Sequence, residues 1–531
     1  MDATTDRETL ADIGRSRSGD VDAVGFHSLT EEVSTTLPVE GELPAWLSGS
    51  LLRNGPGAFE LGDAAVDHWF DGLAMLRRFA FADGRVTYRN RFLRSDSYWR
   101  ARAGRFDGGF ATGESTLRGR LLAFLLGPGY DNANVIVERA GDRYLALTET
   151  PEWLEVDPRS LATIGDASYD GSSPSGQLSC AHVQRDPRTD ALVGVDTAFG
   201  RSNAYHVYEM HDPGTRRRVA TVPVDRPAYA HSFALTPSYV VLTEFPFTLD
   251  PLTFLTPGRI EGFVDAYDWQ PERGTRFTVV DRSSGAVLAR PTTDAFFGFH
   301  HVNAYETGGG AAAANGRGSE VVIDLETVPD AASMQVLGLD RLRDGAIDAV
   351  SGRIERFRLS DPRASGAVRI DRETIYDDGT ALPTTSHDRW LREHRYVYAQ
   401  STDQPVTDWP RAILKLDVET GAVVEFGEAD YLAGDGIGER SDGLDDGHRG
   451  RDDRGEHGDD AGPVYFGEPI FVPRPDGDRE DDGVLLSVAL DAGAGRSVLV
   501  AVDATTMTML ARAPLPHALP FGFHGRWFPE L

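Results

Sequence analysis

Four histidines carry the strongest chemical signal in this chain of 531 residues. They are His182 in SCAHVQRDP, His231 in AYAHSFALTP, His300 in FGFHHVNAYE and His524 in LPFGFHGRWF. Each stands among apolar or small residues in a β-type run, whereas His448 and His457 lie in a charged stretch and read as solvent-exposed. Neutral imidazoles are ligands for iron, zinc, copper or nickel. Spacings of 49, 69 and 224 residues exclude a zinc site built on one helix from an HExxH motif. Brought together by the fold, the four would make an all-nitrogen metal centre. The competing reading is four hydrogen-bonded core histidines. The single cysteine, Cys180, excludes a disulfide framework and a cysteine-based zinc cluster. Beside His182 it reads as a small buried residue, not as a ligand or nucleophile.

Residues so far apart converge only on a frame that returns the chain to one axis. The dominant hydrophobic period is two. Short β-rich runs alternate with turn chemistry, as in FAFADGRVTYRN and VIVERAGDRYLALTE. Three stretches look alike: RFTVVDRSSGAVLAR, ILKLDVETGAVVEF and LVAVDATTMTMLAR. In each, an apolar strand ends in Asp with Ser or Thr three residues on: Asp281 with Ser284, Asp417 with Thr420, and Asp503 with Thr506. Asp157, Asp186 and Asp212 repeat the spacing, which predicts an Asp side chain that accepts hydrogen bonds from the turn backbone. Hairpins recurring along the whole length point to a radial repeat, a β-propeller, in preference to a sandwich. Residues 1–24 read as a polar tail and 25–531 as a single domain. Residues 435–461, with ten acids and four arginines, read as a disordered acidic insertion.

The net charge of -30 excludes nucleic acid as a partner, because neutralising phosphates needs a basic face. Lys415 is the only lysine, so 52 of the 53 basic residues are arginine. An acidic, nearly lysine-free surface implies a salt-adapted cell. The start of the chain shows no basic and apolar targeting pattern, and no run of about 18 apolar residues occurs. The expectation is a cytoplasmic protein. The compact apolar stretch LRGRLLAFLLGPG, residues 117–129, contains Leu121, Leu122, Phe124, Leu125 and Leu126. It reads either as core helix or as a segment dipping into a membrane surface.

An ordered set of motifs resembles the carotenoid cleavage oxygenase family. GSLLRNGPGAFE (49–60), HWFDGLAMLRRFAFADGRVTYRNRFLRS (68–95), DNANVIV (131–137) and LALTET (145–150) come first. The four histidine motifs follow, then GEPIFVPRP (467–475), EDDGVLLSVALD (480–491) and LPFGFHG (519–525). The resemblance covers about residues 25 to 531 and, with the composition, suggests a haloarchaeal member. It implies an all-β fold, a seven-bladed β-propeller with a mainly helical dome over one axial Fe(II). By motif the metal ligands, and hence the catalytic residues, map to His182, His231, His300 and His524. His300 is selected over His301 because neighbouring strand residues face opposite ways and the family's ligand stands three before the Asn of the NAY motif, here Asn303. His68 matches a family histidine that is not a ligand and is given a structural role.

Metal-bound histidines usually donate their other N–H to a carboxylate or carbonyl. By the family's pairings Glu149 would orient His231, and Glu468 would orient His524. The third family glutamate is missing: Ala381 stands in its place in ALPTTSHDRWLREHRYVYAQ. That departure predicts a His300 without its usual partner, unless a water, a carbonyl or a nearby acid such as Asp377 or Asp378 substitutes. The implied reaction is cleavage of a conjugated C=C bond of a carotenoid or apocarotenoid by O2 to two carbonyl products, retinal among the candidates. The implied protein is a monomer, with peripheral membrane contact through 117–129 and the loop 244–258 as a flank of the same entrance. Thr148 occupies the position where stilbene-cleaving members carry a lysine, which disfavours a phenolic substrate. Two other readings stay open: a retinoid or carotenoid isomerase, and a non-catalytic propeller that binds carotenoid or protein, which Ala381 supports.

Overall fold

The hairpin signals fold as antiparallel meanders. In a computed structural model the described residues are 25–531, except 62–63, 106–108, 110–129, 170–175, 252, 254–262, 309–318, 346 and 435–461. The polar tail, the acidic insertion and the apolar segment 117–129 therefore lie outside the described residues. Asp83 and Gly84 join strand Leu73–Ala82 to Arg85–Phe92 with φ values of 51° and 70°, the positive pair that a type I′ hairpin turn requires. The recurring aspartates cap their turns as the spacing predicts. Asp281 Oδ1 accepts from the N–H groups of Ser283 and Ser284 at 3.0 and 2.9 Å. Asp503 Oδ1 does the same for Thr505 and Thr506 at 2.9 and 2.8 Å.

These meanders build a succession of sheets. In chain order they span residues 136–166, 178–224, 234–293, 301–427 and 464–514. The sheet of 301–427 holds seven strands. The remaining large sheet joins the two ends of the chain: Gly49–Arg53 pairs with Leu73–Ala82 on one side and with the C-terminal strand Gly525–Phe528 on the other. A second stitch pairs Glu40–Gly41 with Ala511 and Arg512. Each pairing covers a longer strand and leaves a short strand of two or four residues at the edge, which limits edge-to-edge association.

Central strands lose the polar-apolar alternation. All six residues of Tyr239–Glu244 are buried, and so are seven of the eight in Ala191–Ala198. Sheets packed on both faces have no solvent side to which polar residues could alternate. The α-helices among the described residues are short: Asp96–Arg102, Ser333–Val336, Leu339–Arg343 and Glu428–Ala433. The loop expected to flank an entrance at 244–258 is core where it is described, with Phe245, Phe247 and Leu249 buried. An apolar run of this kind satisfies itself by packing, here against Tyr267 and Phe297. The lone lysine is also internal. Lys415 is 7% exposed, donates to Asp481 Oδ2 and the Ala504 carbonyl, and lies over the Tyr396 ring, so no lysine lies on the surface.

His517 gives the fold a pH dependence. It is buried, its Nε2 lies 3.0 Å from the Tyr88 hydroxyl, and burial together with Arg77 pushes its pKa down to about 4. The unfolded chain takes up this proton near pH 6.5 and the folded chain does not, so stability is lost as pH falls from about 6.5 towards 4. A shift of this size corresponds to about 3 kcal/mol, which partial screening reduces to about 1–2 kcal/mol. Urea unfolding at pH 7 and pH 5 should show this loss in the parent chain and a smaller one in His517→Gln; equal losses would refute it.

Candidate metal centre

Each candidate histidine stands at the edge strand of a different sheet. His182 lies between Leu178–Ser179 and Gln184–Asp186, and His231 lies just before Ala234–Leu235. His300 and His524 immediately precede His301–Thr307 and Gly525–Phe528. The fold brings the four together: one ligand nitrogen from each lies within 4.8 Å of the others. The ring centroids are separated by between 4.2 Å, for His182 and His524, and 6.1 Å, for His231 and His524.

Three of the rings are held from behind by carboxylates. His231 Nδ1 lies 2.6 Å from Glu149 Oε1, which also accepts from the Tyr229 hydroxyl at 2.6 Å. His524 Nδ1 lies 2.8 Å from Glu468 Oε1, while Glu468 Oε2 accepts from Gly525 N and Arg53 Nη1 at 2.7 and 3.1 Å. His300 Nδ1 lies 2.8 Å from Glu326 Oε2. In its ionised form such a carboxylate only accepts, so it would hold the proton on Nδ1 and leave the Nε2 lone pair for the opposite side of the ring.

Burial and mutual repulsion among the rings push His182 and His300 well below the ordinary histidine range. Burial also lowers His524, against the pull of Glu468. These are neutral imidazoles, the form that ligates metal. Burial alone would raise the Glu468 carboxyl, but His524, Arg53 and the Gly525 N–H overcome it and hold it below the usual range. Glu326 has no such cation, and burial pushes it up to about 8. The Nε2 atoms of His182 and His300 are buried and make no hydrogen bond. Orphaned acceptors are expensive in a protein interior. Two of them aimed into one cluster, beside a carboxylate short of positive charge, fit a divalent cation.

The neighbours take structural roles. His301 is bonded through both ring nitrogens, to Ser232 Oγ at 2.7 Å and Thr243 Oγ1 at 2.8 Å, so it has no nitrogen left for a ligand. His68 accepts from the Phe70 N–H at 3.1 Å and caps the turn Trp69–Asp71. Cys180 is buried and its thiol reaches the Ala230 carbonyl at 3.0 Å; burial raises its pKa well above normal.

One expectation is corrected. Ala381 does not leave His300 without a carboxylate, because Glu326 supplies it from the neighbouring strand Glu320–Thr327. Asp377 and Asp378, the acids nearest in sequence, are exposed and play no part. Glu326 escaped the sequence reading, although a signal existed: an acid in the apolar run VVIDLET, whose strand sheds its charge only if it serves a partner.

Two cavities meet at the histidines, and His300 and His524 line both. One, of about 280 Å³, is mainly apolar, with Phe70, Tyr229, Phe299, Leu382 and Trp409 in its wall. The other, of about 80 Å³, is polar and lined by Gln184, Ser232, His387 and Arg526.

An all-β protein with an all-imidazole centre at the end of an apolar cavity is a narrow class. The chain matches the family described as retinal pigment epithelial membrane protein over residues 26–529, and it belongs to that family, the carotenoid cleavage oxygenases. It is 29% identical over 506 residues to the apocarotenoid-15,15'-oxygenase of Synechocystis sp., with 92% of each chain covered. Identity to the beta,beta-carotene 15,15'-dioxygenase of Gallus gallus is 28% over 551 residues, covering 93% of this chain and 95% of that one. The carotenoid isomerooxygenase of Galleria mellonella is 30% identical over 542 residues, with 96% of each covered. The solved structure of cobalt-substituted Synechocystis ACO superposes with a TM-score of 0.77 at 28% identity, covering 97% of this chain and 100% of that one.

Anaerobic titration with Fe(II) should show one ion per chain and a rise in Tm. His182→Ala and His524→Ala should each weaken binding by more than about 100-fold, since losing a ligand exceeds the 10–100-fold typical of losing its outer partner. Unchanged affinity in both variants would remove the site.

Proposed function

We propose that the protein is a non-haem Fe(II) dioxygenase that cleaves a conjugated C=C bond of a carotenoid or apocarotenoid with O2, giving two aldehydes. The observation that carries this reading is four histidines converging at the end of a mainly apolar cavity, in a member of this family. Its relatives include an apocarotenoid oxygenase and a carotene dioxygenase. In this reading His182, His231, His300 and His524 hold one Fe(II), and Glu149 and Glu468 fix the rings of His231 and His524. Bound Fe(II) would supply activation of O2 beside the double bond. The chain's own contribution is to hold the polyene. Aromatic walls such as Phe299, Tyr229 and Trp409 exclude water and set which bond lies against the histidines. Thr148 lies in the same wall, and Lys415 is buried in an ion pair elsewhere, so the cavity lacks a lysine grip for a phenol.

The same reading takes the sheets as blades of a seven-bladed β-propeller, with the seven-stranded sheet of 301–427 contributing two, and the segments over the apolar cavity as its dome. It places one monomeric chain in the cytoplasm of a salt-adapted cell, meeting the membrane that stores its substrate through Leu121, Leu122, Phe124, Leu125 and Leu126. No helix among the described residues is long and apolar enough to cross a membrane. Leu125→Asp with Leu126→Asp should abolish cosedimentation with liposomes; undiminished binding would remove the membrane contact. Support for a binding-only propeller rested on Ala381, and the Glu326 carboxylate takes that support away.

Iron-loaded protein incubated in high salt with detergent-solubilised β-carotene under labelled O2 tests the activity by mass spectrometry. Two labelled aldehydes are expected, with exchange against water controlled, and their lengths place the cleaved bond. Isomerised or unchanged polyene from protein with iron bound would overturn the dioxygenase reading for this substrate.

A further inference from the structure

We infer that Glu326 is the positioning residue of His300, taking over from a different strand the part that the family pattern gives to the position of Ala381. The inference rests on the metal centre proposed above and extends it to a residue outside the family motifs.

The register of strands His301–Thr307 and Glu320–Thr327 sets this pair. His301 pairs with Leu325, so the next step places His300 opposite Glu326. Residues directly opposite across an antiparallel pair project to the same face with Cβ atoms about 5 Å apart. A bulge between His301 and Asn303 re-aims the start of the strand, as bulges beside functional sites commonly do. Glu326 then holds its partner twice: its N–H donates to the His300 carbonyl at 3.0 Å, and its carboxylate meets His300 Nδ1 at 2.8 Å. Main chain and ring are both fixed by one residue.

The space for this carboxylate is made by a glycine. A Cβ added at Gly352, on the adjacent strand Gly352–Ser360, would lie 2.8 Å from Glu326 Oε1 and 2.9 Å from its Cγ. Gly352 pairs with Thr380, the neighbour of Ala381, and His300, Glu326, Gly352 and Ala381 share the wall of the apolar cavity. A glutamate at 381 together with Glu326 would crowd two carboxylates behind one imidazole, and like charges in a buried site repel. The small residue at 381 and the acid at 326 are therefore one coordinated exchange. A purely structural role explains little, because Glu326 is 6% exposed and His300 is its one side-chain polar partner among the described residues. Glu149 and Glu468, by contrast, also serve Tyr229 and Arg53.

The test is a Co(II) titration followed by visible absorption and by competition with a chelator. It compares the full-length parent with Glu326→Gln, Glu326→Ala and the double variant Glu326→Ala with Ala381→Glu, with near-UV circular dichroism to show that each is folded. Both single variants should bind Co(II) about 10–100-fold more weakly, with altered absorption bands. The double variant should regain affinity to within about threefold and recover the parent bands, a rescue that a merely structural role for Glu326 would not give. Folded single variants with parent affinity and bands would overturn the inference, as would a folded double variant no better than Glu326→Ala. Failure of the parent itself to bind Co(II) would bring down the metal centre and this inference with it. That outcome is distinct from a parent that binds metal while its Glu326 variants bind equally well.

Discussion

The site depends on one interaction made three times: a carboxylate, buried for Glu326 and Glu468 and half-buried for Glu149, on the Nδ1 side of a histidine ring. An imidazole has two nitrogens and rotates about two bonds, so an apolar pocket alone does not choose which nitrogen carries the proton or where the lone pair points. A carboxylate behind the ring makes both choices at once. Glu149, Glu326 and Glu468 do this for His231, His300 and His524. The same carboxylates bring negative charge into a dry interior, where it is tolerable only beside positive charge. Glu468 has Arg53, whereas Glu326 has none and its carboxyl is displaced upward. A cation among the four rings would complete the balance, so the electrostatics of the outer residues and the donor set of the inner ones lead to the same occupant.

The sheets make this arrangement affordable in backbone terms. Each histidine stands at the end of an edge strand, where the chain enters a sheet and its backbone is free to choose an angle. The strands behind are buried on both faces and cannot shift without opening the core. Pairing of Gly525–Phe528 with Gly49–Arg53 draws the chain ends together, and Arg53 in one strand and His524 just before the other both bond Glu468. A histidine cluster assembled from four sheets thus inherits the rigidity of all of them, as precise chemistry requires.

The same frame explains how a carboxylate can change strands. Neighbouring strands run about 4.8 Å apart and a glutamate side chain spans a comparable distance, so more than one strand can reach the back of one ring. What decides is the space between. Gly352 opens it for Glu326, and Ala381 leaves it uncontested. The functional quantity is a charge at a point, and the fold offers several backbone positions from which to deliver it.

Much was legible in the sequence. Period-two hairpins, turn aspartates and the absence of long apolar runs made an all-β chain, and local chemistry suffices for that because a turn or a strand is decided within a few residues. The four histidine motifs were legible too, since each carries its apolar strand context with it. Choosing His300 over His301 took two grounds: strand alternation, which lets only one of them face the site, and the family motif, whose ligand stands three before Asn303; both ring nitrogens of His301 are engaged by hydroxyl groups. Glu326 was not legible by motif. Its role exists only through a cross-strand register, a bulge and a glycine on the next strand, none of which is encoded near residue 326. The burial of Phe245, Phe247 and Leu249 was legible only in part for the same reason: an apolar run shows that burial is required, but only tertiary packing says against what. Sequence determines which groups are available and which local shapes they prefer. Where two distant groups meet, and which of several acids stands behind a ring, is decided by packing of sheets whose contacts are long-range.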